Sequence, residues 1–179
     1  VSPTQCRRGA YRTADPRAAY CARVLSFVDP AALPPLRIVV NAGNGTAGPT
    51  FDALANALSD AGAPLEFVRL HHDPDPSFPN GIPNPLLPEN RPVTAQAVRA
   101  HNADLGIAWD GDFDRCFFFD ERGEFVDGEY IVGLLAAAML DRAPGANIVH
   151  DPRVQWNTLA EVARAGGTPQ VSRTGHVLI

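Results

Sequence analysis

Short β-branched and apolar runs alternate with segments of helical spacing, and this alternation constrains the fold of the 179-residue chain more than any other feature. The first run, residues 36–41, is continuous and apolar, as expected for a parallel strand that is buried on both faces. A glycine-rich turn and a helix over residues 51–61 follow it. The same order returns in a strand at 65–70, a helix at 93–102 and a strand at 104–109. Strands that alternate with helices predict an α/β fold with a mostly parallel sheet.

The remainder of the chain begins a second set of such units. Its predicted elements are a helix at 130–142, a strand at 147–150, a helix at 156–165 and a short strand at 170–172. Two strands are too few for a parallel sheet covered on both faces, so we expect a piece of a longer protein. The predicted fold is therefore α/β, with two successive three-layer domains that have mixed, mostly parallel sheets, the second one incomplete. The predicted divisions are an N-terminal tail or remnant at 1–16, a first domain at 17–123 and a partial second domain at 124–179.

Charge and composition exclude several classes of protein. The net charge of -5 and the absence of a basic cluster argue against a nucleic-acid partner. The longest unbroken apolar or small stretch, residues 130–140, is too short to cross a bilayer. The three cysteines have no paired spacing, which favours a reducing compartment. We expect a cytoplasmic protein, and the sequence does not indicate its oligomeric state.

Three aspartates at alternate positions, Asp110, Asp112 and Asp114, lie between two apolar runs. In an extended backbone these side chains would point to one side, and Gly111 would allow a tight turn between them. Three carboxylates so close repel one another, and a hard divalent cation such as Mg²⁺ would relieve that repulsion. Arg115 follows directly. A guanidinium at this place is best explained by a phosphate that binds both the metal and the arginine.

Two other interpretations of these acidic residues remain open. Asp110, Asp112, Asp114 and Glu121 fall at positions 1, 3, 5 and 12 of an EF-hand calcium loop, but position 6, which needs glycine, is Arg115. The following phenylalanines also predict a strand instead of a helix. The second interpretation is an ordinary polar turn between two strands.

A nucleotide site is a weaker alternative at the glycine-rich turn, residues 43–48. The turn matches the dinucleotide pattern loosely, but the next strand carries Arg69 near its end and offers no clear acidic residue for a ribose. We therefore expect close backbone packing at a helix start. His71 and His72 are adjacent on a strand end, so they would point to opposite faces and would not chelate one ion.

Five ordered segments resemble the α-D-phosphohexomutase family, particularly its bacterial members that act on mannose phosphates. They are residues 39–45 (VVNAGNG), 79–91 (PNGIPNPLLPENR), 110–115 (DGDFDR), 150–153 (HDPR) and 173–176 (RTGH). The resemblance implies that Asp110, Asp112 and Asp114 hold Mg²⁺. It also implies that the substrate-binding residues, which contact a hexose phosphate, are Arg115, Arg153, Thr174, Gly175 and His176.

The implied reaction interconverts mannose 6-phosphate and mannose 1-phosphate through a phosphoserine and a hexose bisphosphate. Glucose phosphates are the close alternative, because the residues that select the sugar are absent here. Many relatives carry lysine where this chain has Arg153, which keeps the charge but makes a proton-transfer role doubtful. The family's Ser-His-Asn-Pro segment, which carries the phosphoserine, does not occur in this sequence. We therefore expect no catalytic residue in this chain, a fragment without the phosphoserine and C-terminal domains, and no turnover by the fragment alone. A truncated, non-catalytic metal-binding protein is the remaining alternative.

Overall fold

The structure of the protein is a computed structural model that describes residues 9–175. His176, one of the predicted substrate-binding residues, lies outside this range. The elements in chain order are α1 (Arg17–Leu25), β1 (Leu36–Asn41), α2 (Ala47–Asp60), β2 (Leu65–Leu70), α3 (Pro92–Ala100), β3 (Leu105–Trp109), β4 (Cys116–Phe119), β5 (Phe125–Val126), α4 (Gly128–Arg142), β6 (Asn147–His150), α5 (Trp156–Arg164) and β7 (Thr168–Val171). Short 3₁₀ helices cover Pro30–Ala32 and Pro88–Asn90.

The first sheet has five strands in the order β2-β1-β3-β4-β5. β1 lies at the centre of its parallel part and pairs with β2 and with β3. β4 and β5 continue the sheet in antiparallel pairs. This mixed, mostly parallel architecture confirms the predicted α/β fold class.

The side chains of β1 alternate between two cores, because successive residues of a strand point to opposite faces. Ile38 and Val40 pack with Phe51 of α2 on one face. Val39 packs with Val98 of α3 on the other face. The first sheet therefore lies between two layers of helix, and the continuous apolar pattern of β1 is explained by burial on both faces.

The second set of elements is smaller. β6 and β7 form a two-stranded parallel sheet, and α4 and α5 pack together around Ala136, Leu140 and Val162. β5 belongs to the first sheet although it begins after residue 123, so the first sheet extends past the predicted division there. The division of the chain into domains stays a prediction. No helix among residues 9–175 has both the length and the apolar character that a membrane crossing requires.

Several element bounds differ from the sequence predictions. α2 begins at Ala47 instead of residue 51, because Pro49 fits an early helical position where its missing N–H does no harm. β7 covers Thr168–Val171, earlier than the predicted 170–172, and its Pro169 is tolerated on an edge strand. β5 was not predicted, because two residues carry no measurable periodicity. The bounds of β1, β2 and β6 agree with the prediction, and β4 covers the phenylalanines that predicted a strand.

Candidate metal and phosphate site

The acidic loop 110–115 connects β3 to β4 at the carboxyl edge of the parallel strands. β1 and β2 end at the same edge, so the glycine-rich turn after β1 and the proline-rich loop after β2 lie beside it. The residues that flank the acidic loop, Trp109 and Cys116, are paired partners in the antiparallel register. The loop is therefore the closed end of a hairpin. No helix follows it, so the EF-hand interpretation is wrong.

The three aspartates converge as predicted. Asp110, Asp112 and Asp114 each offer a carboxylate oxygen, and these oxygens all lie within 4.8 Å of one another. Asp110 is buried, whereas Asp112 and Asp114 are exposed. One buried and two exposed carboxylates form an oxygen-rich set that is open on one side, which suits a hard cation.

The backbone reaches this geometry by a turn, so the expected extended alternation is wrong. Phe113 adopts a positive φ of 66°, and its amide donates to the Asp110 carbonyl at 3.3 Å. Gly111, which we expected to allow the turn, does not take a positive φ. A left-handed conformation costs a phenylalanine about 1–3 kcal/mol. Its ring packs edge-on against Trp109 with 5.5 Å between the ring centroids, which helps to offset this cost.

Arg115 contacts the same carboxylates. Its backbone N–H donates to Asp110 Oδ1 at 3.1 Å and its Nε donates to Asp110 Oδ2 at 2.6 Å. Its Nε also lies 3.4 Å from Asp114 Oδ1. The side chain is 48% exposed and lines a cavity of about 300 Å³. The guanidinium therefore faces an opening, as the phosphate hypothesis requires.

The pKa values of Asp110 and Asp114 are shifted in opposite directions. Burial alone would raise the pKa of Asp110, but hydrogen bonds with Arg115 and Asp114 outweigh it and lower that pKa. The hydrogen bond with Asp110, then burial and the charges of Asp110 and Asp112, raise the pKa of Asp114. Opposite shifts in adjacent carboxyls show that the negative charges of this loop repel one another.

The glycine-rich turn supports the acidic loop. A Cβ on Gly45 would lie 2.6 Å from the Gly111 carbonyl oxygen, so only glycine fits there. The amide of Thr46 donates to the same oxygen at 3.1 Å. Arg69, where a dinucleotide site would place an acidic residue, instead pairs with Asp52 at 2.9 Å. The turn therefore packs backbone against backbone, as the sequence predicted.

The proline-rich loop supplies a contact that the sequence did not predict. Asn84 Oδ1 accepts a hydrogen bond from Arg115 Nη1 at 3.3 Å. These residues are 31 positions apart, and no local pattern signals the contact. The only sequence signal was the presence of Asn84 in one of the segments that resemble the phosphohexomutases.

A second polar cluster lies after β6. Arg153 forms a two-pronged ion pair with Asp151, with Nε to Oδ1 at 2.8 Å and Nη2 to Oδ2 at 2.9 Å. Hydrogen bonds from Arg153, and a weaker one from Thr174, hold the pKa of Asp151 well below its ordinary range. Gly175 follows with a φ of 131°. Thus Arg153 and Thr174 meet at one carboxylate, and Asp151 is a functional candidate that the sequence prediction omitted.

One cavity extends from the second cluster to the start of β4. It has a volume of about 520 Å³, and both Arg153 and Cys116 line it. Cys116, which follows Arg115 in the chain, also lines the cavity that contains Arg115. Arg115 and Arg153 therefore line two cavities that share Cys116.

The histidines after β2 do not form a metal site. His71 takes a positive φ of 43° and lines a small polar cavity. His72 lies between the Phe51 ring and Asp52, with its Nε2 3.1 Å from Asp52 Oδ1. Their separate surroundings agree with the expectation that they do not bind one ion together.

Comparisons with known proteins connect these clusters to one family. The family model described as phosphoglucomutase/phosphomannomutase, alpha/beta/alpha domain II, matches residues 18–123. A curated phosphomannomutase from Salmonella montevideo is 58% identical over 172 residues, which are 96% of this chain and 38% of that protein. This chain therefore spans less than half the length of that relative.

Solved structures show the same architecture. A phosphoglucomutase/phosphomannomutase family protein from Burkholderia thailandensis superposes with a TM-score of 0.86 at 35% identity, covering 95% of this chain and 36% of its own. An N-acetylphosphoglucosamine mutase from Aspergillus fumigatus, solved with GlcNAc-6P and magnesium, superposes with a TM-score of 0.59 at 20% identity, covering 90% of this chain and 32% of its own. At that identity the second structure supports the fold alone.

Proposed function

Because this chain belongs to the phosphoglucomutase/phosphomannomutase family, we propose that it forms the metal-binding part and some of the sugar-phosphate-binding part of a phosphomannomutase. The whole protein would be an isomerase that interconverts mannose 6-phosphate and mannose 1-phosphate. The observation that carries this proposal is the convergence of three carboxylates within 4.8 Å beside an exposed arginine. Phosphoryl transfer needs cations and positioning more than covalent help from protein, and this loop offers both.

Mg²⁺ is the proposed cofactor, held by Asp110, Asp112 and Asp114. The donor set fits, because all three offer carboxylate oxygens, the ligands that Mg²⁺ prefers. The two Arg115 contacts with Asp110 use one lone pair on each oxygen, so each oxygen retains acceptor capacity for an ion. The Aspergillus fumigatus mutase with the same fold was solved with magnesium, which agrees with this assignment. A bound Mg²⁺ would neutralise charge that develops on the transferring phosphoryl group.

The chain's own residues would bind and orient the sugar phosphate. Arg115 would contact the phosphate from the side of the acidic loop, since its guanidinium is exposed there. Arg153, Thr174 and Gly175 would contact the substrate from the second cluster, and we assign the same role to His176, which lies outside the described residues. Asp151 holds Arg153 in a fixed geometry, so this guanidinium would bind with less loss of conformational freedom.

The proposed phosphoryl donor is a phosphoserine, and no residue of this chain is assigned that role. The serine P–O bond would break as a P–O bond forms to a hydroxyl of the hexose monophosphate, giving a hexose bisphosphate. Return of the other phosphoryl group to serine would release the isomerised product. Phosphoglucomutase activity is the second candidate, because the matched family description names both activities.

³¹P NMR of the intact protein with Mg²⁺ and a trace of hexose bisphosphate tests this proposal. We expect mannose 1-phosphate to convert to mannose 6-phosphate, and Asp112→Asn to slow conversion without unfolding the protein, since that residue is exposed. The matched control is Glu121→Gln, an exposed carboxylate at the other end of β4 and outside the ligand set. Faster conversion of glucose 1-phosphate would favour the second candidate. Mg²⁺ binding without any conversion would favour a non-catalytic metal-binding protein.

A further inference from the structure

Three neighbours contact the guanidinium of Arg115: Asp110, Asp114 and Asn84. Asp110 accepts from Nε at 2.6 Å, and Asn84 accepts from Nη1 at 3.3 Å. Within residues 9–175, Nη2 makes no hydrogen bond that would occupy it. One edge of the guanidinium is thus held by protein, and the remaining N–H groups stay free to donate to an anion.

Asn84 is itself held in place by the proline-rich loop. Its backbone carbonyl accepts from the Asn90 side chain at 3.1 Å and from the Leu87 amide at 3.0 Å. Arg91 fastens the same segment through hydrogen bonds to the Pro85 carbonyl at 3.0 Å and to the carbonyl of the following residue. The guanidinium of Arg91 also lies over an aromatic ring of β5, 3.7 Å from its centroid. A side chain on so well-tethered a backbone can hold its partner at a constant position.

The proline-rich loop also packs against the glycine-rich turn and the acidic loop at this edge of the sheet. A Cβ added to Gly43 would overlap the Pro83 side chain, and one added to Gly111 would lie 3.4 Å from Phe78 and 3.7 Å from Pro83. Four of the five non-glycine residues with positive φ in the described chain belong to these three loops. They are Asn44, His71, Phe78 and Phe113. Such conformations persist where the surroundings determine them strongly, so the three loops form one rigid block.

We propose that Asn84 is a positioning residue that aims Arg115 at the phosphate of the substrate. The use of Arg115 for phosphate rests on the proposed function, whereas the positioning itself does not. A neutral amide suits this role, because its oxygen accepts a hydrogen bond without cancelling the positive charge. A carboxylate in the same place would add a third ion pair to those that Arg115 forms with Asp110 and Asp114, and would compete with phosphate.

The test compares Asn84→Ala and Asn84→Asp in the intact protein with the matched control Asn80→Ala. Asn80 lies on the same loop but donates to Asn44 instead of contacting Arg115. The first readout is the N–H NMR signal of Arg115 Nη1, the nitrogen that donates to Asn84, assigned by its loss in Arg115→Lys. The second is the affinity for inorganic phosphate in the presence of Mg²⁺. Thermal unfolding identifies any variant that fails to fold.

We expect Asn84→Ala to broaden the Nη1–H signal and to weaken phosphate binding about threefold to tenfold, the effect of one lost hydrogen bond. Asn84→Asp should keep the signal, because it retains the acceptor, and still bind phosphate about tenfold more weakly. Asn80→Ala should change neither readout. If Asn84→Ala does not fold, the same two readouts of Asn84→Asp decide.

The proposal is overturned if Asn84→Ala matches Asn80→Ala in both readouts, or if Asn84→Asp binds phosphate as tightly as the unsubstituted protein. Loss of the signal in Asn84→Ala, together with no phosphate binding by the unsubstituted protein, would support the positioning and reject the proposed function instead. The two failures are therefore distinguishable.

Discussion

Replacement of Gly45 by alanine should damage the proposed metal site by steric contact alone. Gly45 does not have a positive φ, so an added Cβ causes no backbone strain of its own. That Cβ would lie 2.6 Å from the Gly111 carbonyl oxygen, whereas ordinary contact begins near 3.4 Å. The glycine-rich turn and the acidic loop would have to separate by the difference of about 0.8 Å.

The separation has a calculable cost. It would lengthen the hydrogen bond from Thr46 to Gly111 from 3.1 Å to well beyond bonding distance, which costs about 1 kcal/mol. Forced displacement of packed backbone adds about 1–3 kcal/mol. We therefore expect Gly45→Ala to lower the free energy of unfolding by about 2–4 kcal/mol. Because Asp110 precedes the displaced Gly111, Mg²⁺ affinity should also fall, by roughly tenfold, which corresponds to about 1.4 kcal/mol.

Urea unfolding and calorimetric Mg²⁺ titration measure these two effects. Gly128→Ala is the matched control, because Gly128 starts α4 with no atom within 4 Å of the added Cβ. It should leave Mg²⁺ affinity unchanged and alter stability by at most about 1 kcal/mol, since alanine favours helix. The steric argument would be refuted if the free energy of unfolding of Gly45→Ala were within about 0.5 kcal/mol of the control's value and its Mg²⁺ affinity were unchanged. A difference of that size is usual for a surface substitution.

Two further substitutions test the strain and the charges of this edge. Phe113→Gly should weaken Mg²⁺ binding in calorimetry. It should change thermal stability little, because relief of the backbone strain at the positive φ offsets the lost packing on Trp109. Unchanged Mg²⁺ affinity would show that the ring does not hold the loop. Asp52 has a lowered pKa, because hydrogen bonds and charges from Arg69 and His72 outweigh its burial. A lowered pKa stabilises the fold above the ordinary pKa of aspartate, and this stability is lost as pH falls through the lowered value. Asp52→Asn should therefore remove part of the acid sensitivity seen in urea unfolding at pH 2 to 6, and an identical pH profile would contradict this assignment.

The strands and the cluster of three aspartates were predictable because their signals are local. β1 is a continuous β-branched run, and three aspartates at alternate positions reveal their chemistry without a structure. The path of the backbone was not predictable in the same way. Alternate positions suggested an extended segment, whereas the loop converges through a left-handed Phe113 that depends on packing against Trp109.

The contacts that the sequence missed are all non-local. Asn84 meets Arg115 only after the loop following β2 folds over the loop following β3, an event that no sequence window contains. Asp151 is close to Arg153 in sequence, but its contact with Thr174 requires β6 and β7 to pair first. Sequence patterns of this kind identify which residues carry charge, and the tertiary fold decides which of them share a partner.

The hairpin that closes the acidic loop has a consequence for the thermodynamics of ion binding. Pairing of Trp109 with Cys116 fixes both ends of the loop before a cation binds. The entropy cost of ordering the three aspartates is therefore part of the free energy of folding and not of ion binding. Mg²⁺ should therefore bind with only a small loss of conformational entropy. It should slow hydrogen exchange of the β3 and β4 amides only by shifting the unfolding equilibrium toward the ion-bound folded state. Such a loop would release and recapture an ion without any strand coming apart.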